Sequence, residues 1–175
     1  MATKDNIVIE NAEIAFRNFS GKEGQFNREG DRNFCVLLSD KIADALQQDG
    51  WNVKLLKARD DSEADCPYLQ VKVKFDERFP MNVVIVSSQG KTKLDETSIN
   101  ALDWADLSEV DMVIRPYDWE MNGKSGRTAY LKTMYATIVE DELMKKYANT
   151  PDSAESAIGG CGNCEECDGS CHENR

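Results

Sequence analysis

The sequence predicts a mainly β domain with short helices: a small closed or partly open antiparallel barrel of about five strands with one inserted helix, followed by a disordered C-terminal tail. Three observations predict it. Apolar and polar residues alternate with period two along several short runs between residues 7 and 139. Asn122-Gly123, which tolerates the positive φ angles of a tight hairpin turn, separates two of these runs. Beyond residue 147 the composition shifts to Gly, Asp, Glu, Ser and Cys, with too few apolar residues to form a core. The chain therefore divides into a domain over residues 1–147 and a flexible tail over residues 148–175, opening at Thr150-Pro151-Asp152-Ser153.

Each element has its own signal. Residues 7–19 read as one long half-buried strand, with Ala12, Ile14 and Phe16 on the core side. A glycine-bearing loop leads to a strand over residues 32–38, where Phe34, Val36 and Leu38 share a face. Ser39-Asp40 then supplies a helix N-terminus, Ile42, Ala43 and Leu46 an apolar stripe, and Gly50 the stop. Further strands are expected over 51–56, 68–75 and 83–86, and a short helix or helical turn over 98–104. Residues 110–139 form the hairpin, with β-branched and aromatic residues on its return strand. A short acidic helix carrying Leu143, Met144 and Tyr147 closes the domain.

A formal net charge of −11 opposes nucleic-acid binding if it is spread evenly. Its distribution weakens that objection. Residues 1–139 carry 18 Lys and Arg against 23 Asp and Glu, whereas residues 140–175 carry 3 against 9. More than half of the excess thus lies in the last fifth of the chain. No run has the apolar length of a membrane span, and the first residues lack the apolar centre of a signal peptide, so a cytoplasmic location is expected.

Two segments interleave cations with flat side chains, the two components by which a protein tracks phosphates and stacks unpaired bases. The first runs from residue 16 to 32 and offers Arg17, Phe19, Lys22, Phe26, Arg28 and Arg32. With Phe16 facing the core, Arg17 and Phe19 are expected on the opposite face. The second is the hairpin. Arg115, Tyr117 and Trp119 are spaced by two, Lys124 and Arg127 flank the turn, and Tyr130 and Lys132 lie on the return strand. Pro116 marks an edge or a bulge there. The alternative is that the rings are core or cross-strand pairs and the cations merely solvated.

Residues 12–38, containing Phe16-Arg17-Asn18-Phe19-Ser20-Gly21-Lys22-Glu23-Gly24, resemble the opening of a family of phage-encoded single-stranded-DNA-binding proteins. Leu102-Asp103-Trp104-Ala105-Asp106 and Val113-Ile114-Arg115-Pro116-Tyr117-Asp118-Trp119-Glu120 with Gly123-Lys124 carry the same resemblance, which spans about residues 7–147. It implies an OB-fold, single-stranded DNA as partner, a role in DNA replication or recombination, and location in a host cytoplasm. It also implies an acidic tail that regulates binding or contacts a replication or recombination protein. Tails of that family commonly close on an aromatic residue; this one ends Glu173-Asn174-Arg175.

The tail has chemistry of its own. Cys161, Cys164, Cys167 and Cys171 follow the C-x₂-C-x₂-C-x₃-C spacing of bacterial iron–sulfur proteins, with His172 where that motif has proline. Three readings stand: reduced thiols in a disordered segment, a zinc site drawing on the four thiolates or on three with His172, and a cluster. A zinc- or redox-responsive interaction module is accordingly the alternative to a DNA binder.

Enzymatic readings find little support. Ser88-Gln89-Gly90-Lys91-Thr92 ends like a phosphate-binding loop, but Ile85 stands where its first glycine belongs. The only histidine, His172, is in the tail, so the domain has none for acid–base chemistry. Asp103, Asp106 and Asp111 are read as ordinary surface carboxylates, and Cys35 as packing. The domain is expected to bind without catalysis and without a required cofactor.

Overall fold

The computed structural model describes residues 5–148, so the tail beyond its first residue, with Cys161, Cys164, Cys167, Cys171 and His172, lies outside the described residues. Among the described residues, nine strands form one sheet. They are β1 (Ile7–Ile9), β2 (Glu13–Asn18), β3 (Arg32–Leu37), β4 (Val53–Leu56), β5 (Cys66–Val73), β6 (Asn82–Ser87), β7 (Gly90–Leu94), β8 (Leu107–Met121) and β9 (Lys124–Ile138). Helix α1 (Asp40–Gln48) follows β3, a 3-10 turn spans Ile99–Asp103, and α2 (Glu142–Tyr147) follows β9. None of these helices is long and apolar enough to cross a membrane.

The sheet runs β1-β8-β9-β5-β3-β2, with β4 beside β5 and the β6–β7 pair beside β9. Its two ends, β1 and β2, are consecutive pieces of one chain segment, which curls the sheet into an OB-like half-barrel. The single long strand expected over residues 7–19 divides because Asn11 turns at φ 49°. Its backbone N–H donates to the Asp111 carboxylate (2.8 Å), and Ala12 N–H donates to the Val110 carbonyl (2.7 Å). The strands are more numerous than expected, and β9 pairs in parallel with both β5 and β6.

Alternation fills the interior. Phe34, Val36, Leu69, Val71, Val83, Val110, Met112, Ile114, Leu131 and Met134 are all buried in one core. Phe19 joins them, its ring 5.1 Å from Phe34, centroid to centroid. Truncating a fully buried ring of this kind costs about 3–5 kcal/mol. Helix α1 covers one end through Ala43 and Leu46, while Ile42 is exposed; Ser39 caps it by backbone alone, and Gly50 stops it at φ 88°.

The hairpin of β8 and β9 is the longest element. Asn122 (φ 51°) and Gly123 (φ 74°) form its two-residue turn, whose mirror-image twist matches that of the flanking strands. Between Val113↔Thr133 and Ile114↔Leu131, β9 carries one extra residue, Lys132. A second irregularity, between Ala15 and Asn18 on β2, holds Phe16 at φ 50°. That backbone conformation costs a bulky L-residue on the order of 1–3 kcal/mol.

Candidate nucleic-acid interface

Strand partners point to the same side of a sheet, so the register fixes which side chains share its outer face. Asn33 pairs with Lys72, Lys72 with Tyr130, and Tyr130 with Arg115. These four therefore form a line across β3, β5, β9 and β8. The inward neighbours Phe34, Val71, Ala129, Leu131 and Ile114 are buried in the core, which leaves the line on the outer face, where Asn33 is covered and Lys72, Tyr130 and Arg115 are not fully buried.

Around Arg115 the face becomes a groove of about 420 Å³. The guanidinium lies 4.1 Å from the Phe79 ring centroid and 5.3 Å from that of Tyr130, and Tyr117 meets Tyr130 edge-on at 5.8 Å. Lys74, Arg78 and Lys132 complete the cationic lining, against the single carboxylate of Asp76. Arg78 engages Asp76 through Nε and Nη2 (3.2 and 3.1 Å), and its backbone N–H donates as well. These bonds hold the Asp76 carboxyl below its usual range, so it remains an anion already occupied by a cation. The balance of the groove is positive although the protein is acidic.

A second depression on the same face, bordered by Gln70, Lys72 and Thr128, leads to Trp119 and Gly126. Trp119 is 40% exposed and lies so close to Gly126 that a Cβ there would meet its ring at 2.7 Å. Glycine is what allows the indole to lie against the strand.

The loop over residues 19–31 is tied to this face. Asn33, inside the line above, donates from Nδ2 to Oδ1 of Asn27 at 2.7 Å. Asn18 closes the loop from its other end: its side chain donates to the Lys22 and Asp31 carbonyls and accepts from the Lys22 N–H. Phe26, 89% exposed, and Arg28 flank the tethered Asn27. The first segment is thus tied, through Asn27 and Asn33, to the sheet that carries the hairpin residues.

The model of the phage ssDNA-binding domain family matches residues 1–170. The chain belongs to this family. The match runs past the resemblance expected over 7–147 and into the tail. In three dimensions the chain is similar to the single-stranded DNA-binding protein from bacteriophage Enc34, at TM-score 0.52 and 11% identity, covering 87% of this chain and 89% of that one. The structure of the Enc34 protein in complex with ssDNA matches at TM-score 0.51 and 12% identity, over 78% and 88% of the two chains. At such identities the likeness concerns the fold. No protein of curated function matches in sequence.

For a domain of this family, several expected contacts need correction. Phe19 is fully buried and offers no face to a base. The irregularity at Phe16-Arg17 reverses the alternation, so Phe16 is exposed and Phe19 enters the core. Arg17 spends Nη1 on the carbonyls of Leu102 (2.9 Å) and Ala105 (2.7 Å) and acts as a structural clamp. Arg127 is buried: it bonds Asp118 through Nε (2.6 Å) and Nη2 (3.2 Å), and Asp49 through Nη1. Its guanidinium also lies 5.5 Å from the Trp51 ring centroid. Arg32 is half-buried, paired with Glu96 at 3.2 Å and set over Phe75. Lys22 and Lys124 are exposed, Lys22 on the tethered loop and Lys124 at the hairpin turn.

Lys72, Lys74, Arg78 and Phe79 were missed. Val71-Lys72-Val73-Lys74 is a clean period-two pattern that puts both lysines outward, and Arg78-Phe79 is a cation–aromatic pair. Two of the three carboxylates read as surface charge, Asp103 and Asp111, have structural partners. Asp103 accepts from the N–H groups of Phe19 (2.7 Å) and Ser20 (3.0 Å), and Asp111 from that of Asn11. Among the described residues, no group of three or more His, Cys, Asp or Glu is placed to hold a metal ion. Cys35 is buried, and burial pushes its thiol above the usual value, the reverse of an activated nucleophile.

Proposed function

We propose that this protein binds and protects single-stranded DNA across the outer face of its sheet, without catalysis and without a required cofactor. The observation that carries this reading is the line Lys72–Tyr130–Arg115 with Tyr117 and Phe79 beside it, cations and rings alternating on one face of the sheet. Unpaired bases stack on the rings, and the guanidinium and ammonium groups follow the phosphates. Arg115 combines both roles, since its planar fork suits a phosphate while its face rests on Phe79. Duplex DNA presents no free base faces to these rings, which favours the single strand.

The wider role is protection of single strands during phage DNA replication or recombination in the host cytoplasm. The tail over residues 148–175 competes with DNA for the positive face or presents its charge to a replication or recombination partner. Labelled oligothymidylate, titrated by fluorescence anisotropy at two salt concentrations with duplex competitor, tests the binding. Affinity should fall steeply with salt, and duplex should compete poorly. Equal competition by duplex, or affinity indifferent to salt, would refute the reading. Deleting residues 148–175 should tighten binding at low salt; unchanged affinity removes competition by the tail.

A further inference from the structure

The line across the sheet extends one strand further than the groove. Asn18 on β2 pairs with Asn33, so Asn18, Asn33, Lys72, Tyr130 and Arg115 share a row across five strands. At the usual strand spacing this row is about 19 Å long, within reach of the several nucleotides that an OB-fold engages. Its far end carries two aromatic rings that the groove does not use, Phe16 and Trp104.

Both rings lie largely in solvent: Phe16 is 61% and Trp104 78% exposed. Phe16 holds φ 50°, a conformation that glycine adopts freely and a bulky residue does not. The strain is therefore not offset by full burial of the ring. Trp104 sits on a turn fixed by four hydrogen bonds from the opposite segment. Arg17 binds the carbonyls of Leu102 and Ala105, and the Asp103 carboxylate binds the backbone of Phe19 and Ser20. Lys22 places its ammonium 5.3 Å from the Trp104 ring centroid, and its own backbone is clamped by Asn18 at the end of the row. A rigidly presented indole with a cation beside it repeats the chemistry of the groove at the other end of the sheet.

We propose that Phe16 and Trp104, with Lys22, form a second stacking station that engages the same single strand as it leaves the sheet face. The inference rests on the function proposed above and adds where the strand exits. Parent protein, Phe16→Gly, Trp104→Ala and Trp104→Phe are titrated with a fluorescein-labelled oligothymidylate of about 16 nucleotides, and each is melted thermally. Phe16→Gly should melt no lower than the parent yet bind about 5- to 150-fold more weakly. Trp104→Ala should weaken binding over the same range, and Trp104→Phe should restore most of it. Affinities of Phe16→Gly and Trp104→Ala within about twofold of a parent that does bind would overturn the station and leave the groove standing. If the sedimentation of the parent, but not of the variants, reveals self-association while DNA affinity is unchanged, the patch joins copies of the chain and the proposal fails. A parent that does not bind the oligonucleotide overturns the function reading, and this one with it.

Discussion

Replacing Gly126 by alanine should damage DNA binding while leaving the fold intact. A Cβ at this position would lie 2.7 Å from Cζ2, 2.9 Å from Cε2 and 3.1 Å from Nε1 of Trp119. These approaches fall well inside the ~3.5–4.0 Å of an unstrained carbon contact. The indole must move, and because it is the exposed end of a side chain it can do so without disturbing the core. Gly126 lies within β9 with no positive φ, so alanine also restricts the unfolded chain, a gain of about 0.4–1 kcal/mol that opposes the overlap. The melting temperature should therefore stay within about 4 °C of the parent. Affinity should fall toward that of Trp119→Ala, because an indole lifted off the strand loses the orientation in which a base stacks on it. That loss is worth about 1–3 kcal/mol, or about 5- to 150-fold. The decisive assay is a double-mutant cycle in oligothymidylate anisotropy. Once Trp119 is alanine, adding Gly126→Ala should cost nothing further. If Gly126→Ala weakens Trp119→Ala as much as it weakens the parent, or if it has no effect while Trp119→Ala does, the glycine does not act through the indole.

Three further outcomes follow from the same geometry. Arg115→Gln should make the salt dependence of single-strand binding shallower by about 0.7 in logarithmic slope, and an unchanged slope would remove Arg115 from the phosphate contacts. Arg127→Met should lower stability to urea by about 2–3 kcal/mol, since it releases two carboxylates and the Asp49 carbonyl from a buried cation; a loss below about 0.5 kcal/mol would mean the cluster is dispensable. Asp95, bonded by Thr97 and Ser98, titrates at about 2 instead of its ordinary 3.8. A carboxyl whose folded pKa is depressed contributes stability that is full above its unfolded value and lost as pH falls through the folded one. Urea midpoints should thus fall less steeply for Asp95→Ala than for the parent as pH drops from 3.8 to about 2, and equal slopes would contradict the assignment.

What the sequence reveals of this protein follows the range of the forces involved. The hairpin was legible because its turn chemistry and alternation are local: Asn122-Gly123 and the spacing of Arg115, Tyr117 and Trp119 need no distant partner. Strand β7 was not, since Gly90-Lys91-Thr92-Lys93-Leu94 offers one apolar side chain and forms only against β6. The exchange of Phe16 and Phe19 is the most instructive failure. Alternation assigns faces correctly until one residue is inserted, and then every later assignment reverses. The insertion is stabilised by the Arg17 and Asp103 bonds, which join positions more than 80 residues apart. Arg127 failed for the same reason. A cation five residues from a turn reads as solvated; its cross-strand partner Asp118 and the distant Asp49, 78 positions away, together make it structural. These failures share a consequence for the binding face. The long-range bonds that sequence reading could not see remove Arg17, Phe19 and Arg127 from the surface. They also fix the frame against which Arg115, Tyr117, Trp119 and Tyr130 are held. A net charge of −11 and a positive groove coexist because the register gathers Lys72, Lys74, Arg115 and Lys132 on one side of a sheet. For a ligand whose charges are screened within about 10 Å at moderate salt, the local arrangement governs binding and the total does not.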